Sequence, residues 1–285
     1  MHGERLFFAS EHGGITALGL GASDALFDAD ARLSGRMEVL SDAHGVRRVR
    51  FPLPGTPDAR GRLLEKPGAL APGWVRLTAF REPAWGELLR ARLTSPRSAS
   101  LAEREWNLLC HLRQHGVGTP EPLIVGARGA GVVARRSFLL VRELEGALAL
   151  ERWLRPAGPG GLADERERGL RSLGLFLANL ARAGVLLPEL APGHLWITPA
   201  GGGECEHDST GSTGSTGEPG APRKNRLPSL ALSEVGGGRF APAVAVRERL
   251  LALCSALASS LSGAELALVR DLGLEGVRAR VAAAR

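Results

Sequence analysis

Residues 98–116 read Ser98-Ala-Ser-Leu-Ala-Glu-Arg-Glu-Trp-Asn-Leu-Leu-Cys-His-Leu-Arg-Gln-His-Gly116, and this stretch decides the fold class. Ser100 and Glu103 have the spacing of a capping box, in which a hydroxyl and a carboxylate bind the free amides of a helix's first turn. The glycine at position 116 is typical of a helix end. The stretch therefore predicts one long, amphipathic helix.

A carboxylate lies on the apolar face of this predicted helix. Glu105 follows Leu101 by four residues and precedes Leu108 by three. It therefore lies on the same face as Leu101, Leu108 and Leu112. A carboxylate on an inward face is costly unless a cation meets it, so we expect a cation beside Glu105. The alternative is that this edge of the face is wet and that the carboxylate reaches solvent.

Strand-like segments surround the helix, and helices dominate the second half of the chain. We predict strands at 46–51, 74–77, 123–126, 131–134 and 137–144, and helices at 149–154, 164–183, 246–261 and 264–284. Residues 195–197 and 230–232 are expected to pair as a hairpin. This order predicts an α+β, bilobal protein-kinase-like fold, with a small β-rich N-lobe that holds one long helix and a mainly helical C-lobe.

The composition is that of a soluble globular protein. The chain has 285 residues, 44% hydrophobic and 23% charged, with a net charge of +6. No apolar run approaches the ~18 residues that span a bilayer, and the first residues lack the plan of a secretory signal. The three cysteines are far apart, which fits a reducing cytosol. No aromatic-studded basic patch suggests nucleic acid as a partner.

We divide the chain into three parts. Residues 1–37 are expected to be a loose N-terminal extension, 38–144 the N-lobe and 145–285 the C-lobe. Residues 201–226 contain Ser-Thr-Gly repeats, which predict a disordered insertion in the C-lobe.

Three motifs resemble the lipopolysaccharide kinase family, the Kdo and core-heptose kinases. The first is Ala102-Glu-Arg-Glu-Trp-Asn-Leu-Leu109, followed by Gly116-Val-Gly-Thr-Pro-Glu-Pro122. The loop Glu189-Leu-Ala-Pro-Gly-His194 is similar to the catalytic loop of that family. Leu230-Ala-Leu-Ser-Glu234 resembles the strand that carries its metal-binding carboxylate. The resemblance covers roughly residues 74–257.

The resemblance implies a role for each of seven residues. Glu189 stands where the family has its catalytic aspartate, and His194 and Glu234 stand at its metal positions. Residues expected to contact the nucleotide are Arg76, Glu105, Glu143 and Glu145. The implied cofactors are ATP and Mg²⁺. The implied acceptor is a sugar of the lipopolysaccharide core or of lipid A, reached from the cytoplasm at the inner face of the inner membrane.

The chain departs from the family at positions that carry charge. The strand Trp74–Phe80 contains no lysine, and Arg76 or Thr78 occupies the expected place. Arginine keeps the charge but is larger and planar, and we expect Arg76 to pair with Glu105. Glutamate replaces both key aspartates, and a shift of ~1 Å at a reacting centre can cost about a hundredfold in rate. Ser41–Val46 offers one glycine in place of a glycine-rich phosphate loop.

These departures leave three hypotheses. We favour a degenerate, pseudokinase-like module that keeps the fold for binding or regulation and that needs no cofactor. The alternative is an active but divergent ATP-dependent sugar or lipid kinase. A kinase of soluble small molecules ranks last, because it would need an aspartate-rich loop. A Ser-His-Asp hydrolase has no support, since the sequence lacks a Gly-x-Ser-x-Gly turn after a strand.

Overall fold

The computed structural model describes residues 3–8, 27, 38–43, 45–53, 73–81, 86, 100–129, 136–144, 146–155, 163–188, 190–198, 228–233, 235 and 238–283. Several predictions of the sequence fall outside these residues. They are the strand at 131–134, the insertion at 201–226, and the three site residues Glu145, Glu189 and Glu234.

Six antiparallel strands form the sheet of the N-lobe. They are β1 (Gly3–Phe8), β2 (Glu38–Ala43), β3 (Val46–Leu53), β4 (Gly73–Arg81), β5 (Glu121–Gly129) and β6 (Arg136–Arg142). Their order across the sheet is β1-β5-β6-β4-β3-β2. The predicted strands at 46–51, 74–77, 123–126 and 137–144 are confirmed, with longer or slightly shifted bounds.

The first strand differs from our expectation of a loose extension. Residues Gly3–Phe8 pair with β5 in antiparallel register, from Gly3 opposite Gly129 to Phe8 opposite Ile124. The segment is short and apolar in its second half, and only the free edge of β5 decides that it forms a strand. The expectation is therefore wrong for residues 3–8.

The sheet buries both of its faces. Alternate residues of its strands point to opposite sides, and one side packs against the N-lobe helix through Val125, Leu139 and Val141. On the other side Val49, Phe51, Val75, Phe138 and Leu140 are also buried. There the ring of Phe27 meets Phe138 edge to face, with 4.9 Å between the ring centroids. The side chain of Arg128 lies over the same ring of Phe27 at 4.3 Å.

Helix α1 (Leu101–Gln114) begins and ends close to where the sequence predicts. The hydroxyl of Ser100 accepts a hydrogen bond of 3.1 Å from the amide of Glu103, which is one half of the predicted capping box. Gly116 has a φ of 70°, the left-handed conformation that ends helices. Leu108 and Leu112 are buried, so the predicted apolar face is confirmed.

Among the described residues of the C-lobe there are four helices and five short strands. The helices are α2 (Leu150–Trp153), α3 (Ala163–Ala183), α4 (Ala243–Leu257) and α5 (Gly263–Ala283). The strands are β7 (Leu148–Ala149), β8 (Val185–Leu186), β9 (Leu195–Thr198), β10 (Ser229–Leu232) and β11 (Arg239–Phe240). The predicted hairpin is confirmed, because β9 and β10 pair antiparallel. Within the described residues, no helix combines the length and the apolar character needed to cross a bilayer.

The core of the C-lobe lies between α3 and α5. The predicted core leucines of α3 are all buried: Leu170, Leu173, Leu177 and Leu180. The two helices approach closely, since a Cβ on Gly276 would lie 2.2 Å from the carbonyl oxygen of Ala178. Together the two lobes confirm the α+β class.

Candidate functional site

A cavity lies between the sheet and α1 in the N-lobe. It holds about 350 Å³ of empty space, counting its open mouth, and its lining includes Arg48, Arg76, Thr78, Glu105, Val141 and Val235. Strand alternation places Arg76 and Thr78 on the same side of β4. Arg48 is opposite Thr78 in the register of β3 and β4. Two arginines and one glutamate therefore give this lining a basic balance.

The predicted partners Arg76 and Glu105 line this same cavity. They come from different elements, β4 and α1, and both lie on the wall of the space between the sheet and the helix. Side chains on opposite faces of the sheet would have refuted their pairing, and the structure does not show that arrangement. The ion pair itself stays a prediction.

Arg76 also reaches the C-lobe. Its Nη2 donates a hydrogen bond of 2.8 Å to the carbonyl oxygen of Ser233, 157 positions later in the chain. Ser233 directly follows β10 and directly precedes Glu234, our predicted metal ligand. The cation of β4 is thus bonded to the backbone that directly precedes the predicted metal carboxylate.

His194 lies beside the same backbone. It ends a 3₁₀ turn, Pro192–His194, in which its amide donates to the carbonyl oxygen of Ala191 at 3.0 Å. Its own carbonyl oxygen accepts a hydrogen bond of 2.9 Å from the amide of Ser233. The pairing of β9 with β10 therefore brings together the two segments that carry the predicted metal residues.

The structure describes only one of the two predicted metal ligands. It is His194, and an imidazole nitrogen is not the oxygen ligand that Mg²⁺ prefers. Among the described residues, no group of three His, Cys, Asp or Glu side chains is placed to hold a metal ion. The described donor set thus does not fit Mg²⁺ by itself, and the convergence of Glu189 and Glu234 on His194 stays a prediction.

Glu143 lies at the predicted hinge, but its polar groups are engaged by the sheet. Its amide donates to the carbonyl oxygen of Trp74 at 2.8 Å. Its carboxylate lies 4.0 Å from Nη1 of Arg50, whose guanidinium also stacks over the ring of Trp74. A role in nucleotide binding for Glu143, and for Glu145, stays a prediction.

Two arginines near the site were missed from the sequence. Arg48 lines the cavity, but the run Arg47-Arg48-Val49-Arg50 does not tell which arginine faces it. Arg104 donates a hydrogen bond of 2.8 Å from Nη2 to the carbonyl oxygen of Gly238. Burial lowers the pKa of Arg104, and the nearby Arg239 lowers it further while Glu105 raises it. No local signal in the sequence links residues 104 and 238.

The described cysteines do not add a reactive site. Cys110 and Cys254 are both free thiols, in α1 and α4. Burial raises the pKa of each thiol above its ordinary value. A raised pKa leaves less thiolate at neutral pH, so both side chains serve packing better than nucleophilic chemistry.

An antiparallel sheet with one long helix, a hinge and a helical lobe that carries a β-hairpin define a protein of the kinase-like fold. The structure is similar to a solved structure described as WaaP in complex with acyl carrier protein, with a TM-score of 0.58, 17% identity, and coverage of 98% of this chain and 92% of that chain. A glucosamine kinase in complex with glucosamine, ADP and inorganic phosphate follows at a TM-score of 0.37 and 13% identity, covering 93% of this chain and 87% of that chain. The first likeness confirms the predicted bilobal kinase-like fold.

A sequence match supports the family resemblance. Residues 71–207 match the model of the lipopolysaccharide kinase (Kdo/WaaP) family. The match confirms the resemblance that we recognised from the three motifs. No curated protein sequence matches the chain.

Proposed function

We propose that this lipopolysaccharide-kinase-family protein has a degenerate cleft, which binds or regulates instead of transferring phosphate. The observation that carries this proposal is the hydrogen bond of 2.8 Å from Arg76 to the carbonyl oxygen of Ser233. In kinases that transfer phosphate, the cation of this strand binds the phosphates of ATP. Here the cation at that position is Arg76, and it donates a hydrogen bond to the backbone of the C-lobe.

The turn between β2 and β3 supports the same conclusion. Ala43 pairs with Val46, so only two residues connect the strands. Phosphate loops use several successive backbone amides to hold an anion. This two-residue turn offers few of them.

The family resemblance points to the ligand of this degenerate cleft. It would be a sugar of the lipopolysaccharide core or of lipid A at the cytoplasmic face of the inner membrane. The net charge of +6 suits the anionic surface of that membrane. ATP and Mg²⁺ are then dispensable for binding. Arg76 and Arg48 are the described cations that would face a phosphate group in the cavity, and the metal would depend on Glu234 and His194.

An active, divergent kinase is the second candidate. It is favoured by the hydrogen bond of 2.9 Å between the Ser233 amide and the His194 carbonyl oxygen. This contact keeps the two metal-carrying segments side by side, as phosphoryl transfer requires. Glu189 would then act as the base that accepts the proton of the acceptor hydroxyl.

The two candidates differ in their need for Mg-ATP. We expect that millimolar Mg-ATP leaves the thermal midpoint unchanged, that purified lipid A-core raises it without nucleotide, and that no phosphate passes from ATP to that acceptor. Mg²⁺-dependent transfer that disappears in Glu234→Ala, and persists in the exposed α5 control Glu275→Ala, would overturn the degenerate cleft. A midpoint that ignores lipid A-core would remove the proposed ligand.

A further inference from the structure

The stretch from Ser233 to Gly238 is fixed at its start by the N-lobe. The Ser233 carbonyl oxygen accepts the hydrogen bond of Arg76. One residue earlier, the amide of Leu232 donates to the carbonyl oxygen of Gly118 at 2.9 Å. Gly118 lies in the loop that follows α1. The two contacts therefore come from β4 and from this loop, which are both parts of the N-lobe.

The end of the same stretch rests on α1 itself. Arg104 donates its hydrogen bond of 2.8 Å to the carbonyl oxygen of Gly238. The amide of Gly238 closes a turn by donating to the carbonyl oxygen of Val235 at 3.0 Å. Both polar groups of the Gly238 backbone are therefore used.

Packing gives a second, independent reason for this placement. A Cβ on Gly238 would lie 2.5 Å from Cδ2 of Leu108 and 2.8 Å from Cδ2 of Leu187. Leu108 is one helical turn after Arg104, so both side chains are on the same face of α1. Gly238 lies so close to that face that a larger residue would require Leu108 and Leu187 to shift.

We propose that Arg104 is a positioning residue, which holds the backbone of Gly238, four residues after Glu234 in the chain, against α1. The helix that carries Glu105 and the chain at Gly238 then move as one body. Arg104 acts through the backbone of Gly238 and touches no substrate. The proposal rests on the proposed function only in treating the stretch from Ser233 to Gly238 as the counterpart of the metal-binding segment of the family.

Hydrogen exchange of the nucleotide-free protein, resolved by peptides, tests this role. We expect Arg104→Gln to speed the exchange of peptides that cover 235–241 by about tenfold, because a hydrogen bond from a charged donor is lost there. Peptides from α3 and α5 should keep their exchange rates. Arg104→Lys, which retains a charged donor, should exchange more slowly than Arg104→Gln, and the exposed α5 control Arg278→Gln should match the wild type.

Three results would overturn the proposal. They are unchanged exchange over 235–241 in Arg104→Gln, equal acceleration in all peptides, and Arg104→Lys exchanging as fast as Arg104→Gln. Because nucleotide is absent, a later finding of ATP turnover would reject the degenerate cleft and leave this result standing.

Discussion

The carboxylate of Glu265 accepts a hydrogen bond of 2.5 Å from Nε of Arg166, which joins the first turn of α5 to α3. The same guanidinium donates to the carbonyl oxygen of Ser260 at 2.9 Å, and the Glu265 carboxylate accepts the Ser262 amide at 2.7 Å. These contacts to Arg166 and Ser262 lower the pKa of Glu265 to about 2. The start of α5 therefore depends on an ionised carboxylate.

The first prediction concerns acid stability. Below pH 4.5 the unfolded chain protonates Glu265 while the folded chain does not, so the stabilisation present at neutral pH is lost as the pH falls from about 4.5 towards 2. We expect the free energy of unfolding in urea to fall by about 1–2 kcal/mol more between pH 6 and pH 3 in the wild type than in Glu265→Gln.

Glu167 provides the control for this measurement. It lies in α3 and forms an exposed pair with Arg171 at 3.6 Å. Glu167→Gln should keep the acid sensitivity of the wild type, because exposed pairs contribute little. Equal acid sensitivity in wild type and Glu265→Gln would contradict the prediction.

The second prediction concerns the contact between the lobes at Gly118. A Cβ there would lie 2.1 Å from the carbonyl oxygen of Leu230, and backbone cannot move aside cheaply. We expect Gly118→Ala to lower the free energy of unfolding by about 1–3 kcal/mol, the usual cost of overpacking. Gly263→Ala is the control, since nothing lies within 4 Å of its new Cβ. Similar urea midpoints for the two variants would show that this approach is not tight.

The third prediction concerns Arg76. Arg76→Gln removes the charged donor from the Ser233 carbonyl oxygen, and hydrogen bonds to charged groups contribute about 1.5–3 kcal/mol. We expect a loss of stability of that size in urea unfolding. Arg50→Gln is the control, because Arg50 lies on the neighbouring strand β3 and binds the exposed Glu38 at 2.7 Å. A loss in Arg50→Gln as large as that in Arg76→Gln would argue against a special role for the contact with Ser233.

The fourth prediction concerns the face of the sheet opposite α1. Phe27 covers Phe138 there, so Phe27→Ala should uncover a buried aromatic ring and lower the free energy of unfolding by about 2 kcal/mol. Phe240→Ala is the matched control, because the Phe240 side chain is 56% exposed. Chemical denaturation that finds equal losses in the two variants would mean that Phe27 does not protect this face.

Local signals made much of the fold predictable. The cap at Ser100 and the glycine at 116 gave the ends of α1 within a few residues. The four predicted core leucines of α3 recur at core spacing, and all four are buried. Such features depend on neighbours within one or two turns of the chain, which is the range that a sequence pattern reports.

The rest depends on contacts between distant residues. Arg104 reaches Gly238 across 134 positions and Arg76 reaches Ser233 across 157, and neither sequence neighbourhood signals its partner. The strand at Gly3–Phe8 forms on the free edge of β5, so only the assembled sheet decides it. For the site, Arg76 and Glu105 line one cavity and their roles stay a prediction, whereas the place of Arg48 needed the strand register.

The six-stranded sheet also bears on how the protein is best produced. The family match begins at residue 71, whereas β1, β2 and β3 precede it. A chain trimmed to the matched region would lack half of the sheet and would leave the backbones of β4 and β5 without their outer neighbours. Exposed strand edges of this kind recruit other chains and promote aggregation.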